Sequence, residues 1–256
     1  MEVHHHPHVE KKNFKEYFLE FIMIFLAVSL GFFAESLREY ITEHKHAKEY
    51  AIEMISDLKS DTTDLEDWIR YTSYAAGFTD TLMQLLSDND PKQIPSGKLY
   101  WYGLWGGAHH VFVAHDATIH QMESSGSLRY FTNDLLNSDV AQYEQLCRSW
   151  EKLAEMDIAI YTEVRKARAK IFEFKYNEVA NDIYQASKDH LNREAIDSFF
   201  TTNPPLLSYD KTLFNEYLEM IRSRFLPVYL ARAKNLKEHA TALIEHLKKV
   251  YNLEDE

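Results

Sequence analysis

EFIMIFLAVSLGFFAE, residues 20–35, holds fourteen uncharged residues between two glutamates. From Phe21 to Ala34 a helix rises only about 21 Å at roughly 1.5 Å per residue, short of a hydrocarbon core of about 30 Å. Drawn from Tyr17 to Leu37 it reaches about 31 Å, enough to cross, but it then takes in Glu20 and Glu35. A carboxylate near the hydrocarbon costs free energy unless it snorkels, takes up a proton or finds a partner.

The helical wheel sorts this conflict. At about 100° per residue, Glu20, Ile24, Ala27, Gly31, Ala34, Glu35 and Arg38 share one face. Phe21, Ile22, Phe25, Leu26, Phe32 and Phe33 lie opposite. One face is small with polar ends, and the other is bulky and suited to lipid. Ala27 and Gly31 have the small-xxx-small spacing that lets two membrane helices approach closely. The segment is therefore expected to span, with the Glu20–Arg38 face packed on another helix. A cleaved signal peptide fits less well: Lys11, Lys12 and Lys15 supply a basic region and Ser29-Leu30-Gly31 a cleavage site, but Glu16 and Glu20 intrude and the helical register continues past Phe32. A soluble or interfacial helix is the remaining alternative.

Beyond the span no linker follows. The next fifty residues lack proline, and Ala51, Met54, Ile55, Leu58, Thr62, Leu65, Ile69, Thr72, Ala76, Thr79 and Leu86 repeat at three and four. One very long helix, or two nearly continuous ones, is expected to about Ser87, where SDNDPKQIPSG (87–97) breaks it. A second helical region, about 98–123, is interrupted by Gly103, Gly106 and Gly107, and ESSGSL ends it with Gly126 suited to a left-handed cap. A third helix is expected from an N-cap at Ser138 to about Ala186, with Tyr143, Cys147, Trp150, Ala154, Ile158, Tyr161, Val164, Ile171 and Phe174 inward. A short helix over 190–200 and a last one over 210–252, interrupted or kinked near Pro227, complete the chain.

With 7 Gly, 6 Pro, 16 Tyr and 15 Phe in 256 residues, turns are few and elements long. The expected fold is all-α: a polar His-rich tail (1–13), a transmembrane helix (14–37), and an antiparallel bundle of about four long helices (38–256). A net charge of -12 leaves no cationic excess for nucleic acid or anionic lipid, and the single Cys147 precludes an internal disulfide or a cysteine zinc site.

Three clusters carry possible chemistry. HHHPH (4–8) is a potential chelator in a polar tail. AHHVFVAHDATIH offers His109, His110, His115, Asp116 and His120 as weak metal-ligand candidates, but helical spacing spreads them, whereas a metal needs three or four converging ligands. DLKSDTTDLEDW places Asp57, Asp61 and Asp64 in an acidic stripe on one helix face, solvated, facing Arg165, Arg168 or Lys170, or binding a cation weakly. Glu20 and Glu35 would serve an ion or proton path if the span assembled into an oligomer. GxSxG, P-loop, GxGxxG and HExxH motifs are missing, so no enzyme or cofactor is expected.

FLEFIMIFLAVSLGFFAESLREYITEHKHAKEYAIEMISDLKSD resembles the start of a group of uncharacterised bacterial proteins typical of the Bacteroidota, in which one span leads into a charged helix with a DLxxD-like element, here Asp57-Leu58-Lys59-Ser60-Asp61. ATIHQMESSGSLRYFTNDLLNSDVAQYEQL is similar to a later helix, Ser-Gly turn, helix segment of that group. The resemblance covers mainly 14–65 and 115–146. It implies a membrane-anchored helical protein without an assigned activity.

Together these readings give a single-pass protein of the bacterial inner membrane, its N-terminus cytoplasmic and its bundle periplasmic. The lysines on the two sides of the span nearly balance, so the short tail ahead of a large domain decides the orientation. Its expected partners are other membrane helices or further copies of itself, engaged as a scaffold, accessory subunit or sensor.

Overall fold

The computed structural model describes residues 13–104, 110–186, 192–224 and 227–254. Among them the ordered elements are helices: α1 (Phe14–Asp88), α2 (Ser96–Gly103), α3 (Ala117–Ser125), α4 (Asp134–Ala169), α5 (Phe174–Ala186), α6 (Arg193–Phe200), α7 (Lys211–Arg224) and α8 (Pro227–Tyr251). Single 3-10 turns at Pro91–Gln93 and Ser127–Tyr130 join α1 to α2 and α3 to α4. The His-rich tail and His109 lie outside the described residues.

The chain divides into two compact units, Met1–Tyr50 and Ala51–Glu256. In the first, an eighteen-residue window of α1 has a mean hydropathy of 2.1, and among the described residues none of that window is buried. This single apolar helix near the N-terminus is long enough to cross a membrane and consistent with an anchor. Phe21 and Phe25 stack on its bulky side, with ring centroids 6.2 Å apart.

The second unit is a helical bundle. α4 packs along α7 and α8, and the cross-links fix their directions. Lys170 pairs with Glu216, Arg224 with Asp157 and His246 with Asp139, so position falls along α4 as it rises along α7 and α8. Those two helices run antiparallel to α4. By the same test they oppose α1, through Asp80–Arg222 and Glu66–Lys237. α1 and α4 run parallel, since Tyr143 reaches Asp61 and Trp150 meets Trp68. An up-down-up-down order places a descending segment between α1 and α4. That segment is not one helix but α2, a non-helical stretch over 110–116, and α3.

Residue chemistry explains the boundaries. Asn133 caps α4 by accepting from Leu136 N at 3.0 Å, five residues before the Ser138 expected to cap it. Gly126 ends α3 at φ +71, the left-handed conformation a glycine adopts without steric cost. Pro227 opens α8 at its first turn, where a missing N–H costs nothing. The break between α4 and α5, at 170–173, has neither Gly nor Pro. There Phe172 is buried against Tyr100, Phe214 and Tyr217, and Glu173 N donates to Tyr100 Oη at 3.1 Å. Ile171 O accepts from Leu207 N at 2.8 Å. The aromatic core therefore overrides helix propensity at that point.

Candidate functional site

Along α1 the acidic stripe turns inward. Asp61 is completely buried, which a carboxylate tolerates only when fully partnered. It accepts from His115 N at 2.7 Å, from His115 Nδ1 at 2.9 Å and from the Tyr143 hydroxyl at 2.5 Å. One turn earlier, Asp57 accepts from the Thr118 hydroxyl at 2.6 Å and from Thr118 N at 3.2 Å. Asp64 stands 3.8 Å from His115 Nδ1 and is half exposed. The stripe thus clamps His115 and Thr118, just before and at the start of α3. The expected partners of the stripe lie elsewhere: Lys170 pairs with Glu216, and Arg165 lies over the Tyr161 ring. Arg168 takes part in no ion pair with the stripe; its buried Nε and Nη2 have no hydrogen-bond partner.

Electrostatics follow from this packing. The hydrogen bond to Asp61 holds the His115 imidazolium above the usual histidine range, with Asp64 and Asp57 adding to it. Burial, reinforced by the neighbouring Cys147 and Asp61, pushes the Tyr143 phenol far up, so it stays a donor. Burial also raises the Cys147 thiol to about 12, which leaves it an inert packing group. A folded-state pKa above the unfolded value of about 6.5 means that protonated His115 stabilises the clamp. That contribution is complete below the unfolded value and disappears as pH rises through the folded one. The melting temperature of the native protein should therefore exceed that of His115→Asn by more at pH 6 than at pH 8. Thermal melts of both proteins at the two pH values check this.

The histidine-rich run does not converge. His110 packs its ring 5.1 Å from that of Tyr71, His115 meets Asp61, and exposed His120 pairs along its own helix with Asp116 at 3.0 Å and Glu123 at 3.4 Å. Among the described residues no group of three or more His, Cys, Asp or Glu side chains is placed to hold a metal ion.

Next to the clamp is a cleft of about 60 Å³ lined by Trp68, Tyr71, Thr72, His110, Val111, Phe112, Trp150, Leu153, Ala154, Asp157, Arg224 and Tyr229. Trp68 and Trp150 meet edge to face with centroids 4.8 Å apart, and Phe112 sits edge-on to Trp150 at 6.1 Å. Trp68 Nε1 donates to His110 O at 3.0 Å, fastening the wall that 110–112 provides. At one end the Arg224 guanidinium, only 6% exposed, donates from Nε and Nη2 to Asp157 at 2.8 Å each and lies over the Tyr161 ring. Burial pushes the Tyr71 phenol up to about 12.

No family model, curated protein or solved structure matches this chain.

The residues expected to form a packing face on the apolar helix belong to the first unit. There Glu35 finds its partner one turn along the same helix: Arg38 donates from Nη2 to Oε1 at 2.5 Å and from Nε to Oε2 at 3.1 Å. The charge at that end of the span is matched within the helix itself. Ile24 and Ala34 are exposed, Glu20 is half-buried, and Gly31 has nothing within 4 Å of where a Cβ would stand. Sequence reasoning missed the cleft because its walls come from α1, the 110–112 stretch, α4, α7 and α8. The one available signal was Trp68 and Trp150 at inward positions of two helices.

Proposed function

We propose that this chain is a membrane-anchored helical subunit that works through contacts with other proteins, as a scaffold, accessory subunit or sensor. The span holds it in a bacterial inner membrane, with the N-terminus cytoplasmic and the bundle periplasmic. The resemblance of residues 14–65 to the Bacteroidota group of single-span proteins supports this reading. The observation that carries it is the bare apolar window of α1, none of which is buried among the described residues. Its Ala27, Gly31 and Ala34 side offers close backbone approach to a second helix, from a partner or another copy. Pairing of Glu35 with Arg38 suits packing better than ion conduction, since a carboxylate bound to a guanidinium is poorly placed to relay protons.

Gly31→Leu tests this directly. An added Cβ at Gly31 meets nothing within 4 Å and leucine favours helix over glycine by about 1 kcal/mol, so the protein should fold unchanged. Extracted gently from native membranes, the variant should recover less of its co-purifying partner, or run as a smaller oligomer. Unchanged partner recovery and oligomer size would remove this face from any role in assembly.

A further inference from the structure

We infer that the aromatic cleft between α1, α4 and the 110–112 stretch binds a small neutral ring compound carrying one hydroxyl or amine, of about the size of phenol. The site lies wholly in the second unit, and the inference stands whether or not the span associates with another helix.

The walls fix the shape of the ligand. Trp68, Tyr71, Phe112, Trp150 and Tyr229 present ring surface on several sides, the environment in which a flat apolar molecule is well received. The space is about 60 Å³, below the roughly 150 Å³ of a closed cavity that takes up benzene. The cleft is partly open, so a single ring enters it with part of its perimeter left in solvent. A fused bicyclic or an extended chain is too large.

The polar end fixes the charge. Arg224 and Asp157 form a bidentate pair at 2.8 Å, so the two formal charges cancel where they face the cleft. An anionic ligand would have to compete with Asp157 for the guanidinium, and a cationic one would meet Arg224 as it lost its own hydration. Arg224 is buried while the Asp157 side chain keeps 29% exposure, and an ion pair with one member taken out of water is costly unless its geometry is good. Its presence in an otherwise aromatic cleft is accounted for if the pair's dipole, together with Thr72 and His110, orients a hydroxyl or amine. The wall formed by 110–112 is held in place by Trp68 Nε1, and the 115–118 stretch beyond it by Asp61 and Asp57. The cleft is thus pre-formed on fixed elements, which lowers the cost of binding.

The test uses the full chain in detergent, titrated with phenol, benzoate and tetramethylammonium, with binding followed by calorimetry and by the melting temperature. Phenol should bind saturably and raise the melting temperature, and benzoate and tetramethylammonium should bind more weakly. Ala154→Leu fills the cleft and should weaken phenol binding about tenfold or more, a loss of about 1.4 kcal/mol per tenfold. Partition of phenol into micelles is common to both proteins and cancels in the comparison. If the variant does not fold, the Ala154 and Leu153 methyl resonances of the unaltered chain should shift on phenol addition. Stronger binding of benzoate or tetramethylammonium would overturn the assigned ligand class. No saturable binding of phenol, or equal binding by a folded Ala154→Leu, would overturn the site.

Discussion

Asp61→Ala should lower the stability of the bundle by about 3 kcal/mol or more, because it strands the donors that a fully buried carboxylate satisfies. His115 N and the Tyr143 hydroxyl, at 2.7 and 2.5 Å from Asp61, would lose their acceptor, and Tyr143 is itself only 2% exposed. For a domain of this size each kcal/mol moves the midpoint by about 2–4 °C, so a drop of roughly 10 °C is expected. Asp61→Asn keeps the volume and one acceptor oxygen and should fall between the two. Asp64→Ala, at a half-exposed carboxylate, should change stability by less than about 0.5 kcal/mol. Differential scanning of the three variants checks the order, and hydrogen exchange should show the 110–118 amides losing protection in Asp61→Ala alone. Equal melting of Asp61→Ala and the native protein would mean that the clamp contributes nothing.

This clamp also marks where the sequence stops being informative. The spacing of Asp57, Asp61 and Asp64 was plain to read, yet an aspartate on a helix face reads as solvated because such a side chain is seldom buried without partners. The partners of Asp61 are 54 and 82 residues away, at His115 and Tyr143, and nothing local announces them. Apolar periodicity was a better guide. Ala51, Met54, Leu58, Leu65, Thr72, Thr79 and Leu86 are all buried as their spacing implied. Along the third expected helix the pattern held for Tyr143, Cys147, Trp150 and Val164, but Ile158 on α4 and Phe174 at the start of α5 are exposed. Phe174 follows the break at 170–173, and a single helical period drawn through that break places it on the wrong side. The break itself is made by Phe172, Tyr100 and the 205–207 stretch, all tertiary contacts. The helix ends that local chemistry does write, at Gly126 and Pro227, were legible. The anchor was legible too, because a run of apolar residues is a property of composition and needs no distant partner.

Gly97→Ala should destabilise the bundle by about 2 kcal/mol or more, against the helix-propensity gain of roughly 1 kcal/mol that alanine brings. Gly97 lies in α2, where the chain meets the end of α6 backbone to backbone. Gly97 N donates to Thr202 O at 3.0 Å, and neighbouring Ser96 binds Asn203 Oδ1 through its N–H at 3.3 Å and Pro204 O through its hydroxyl at 2.5 Å. A methyl on Gly97 would overlap the Phe199 carbonyl oxygen and come within 2.8 Å of Thr202 Oγ1. Thr202 could rotate, at the loss of its 2.6 Å bond to Phe199 O, but a main-chain carbonyl cannot move without displacing α6. Displacing α6 would pull Phe200 from Trp101 and Tyr102, with which it shares ring contacts at 6.1 and 5.5 Å. Gly77→Ala is the matched control. It sits within α1 with nothing within 4 Å of its added carbon, so the same substitution should stabilise by about 0.5–1 kcal/mol. Opposite shifts of the melting temperature in the two variants would separate close backbone approach from helix propensity. A rise in both would mean that α2 and α6 do not meet where the Ser96–Gly97 hydrogen bonds place them.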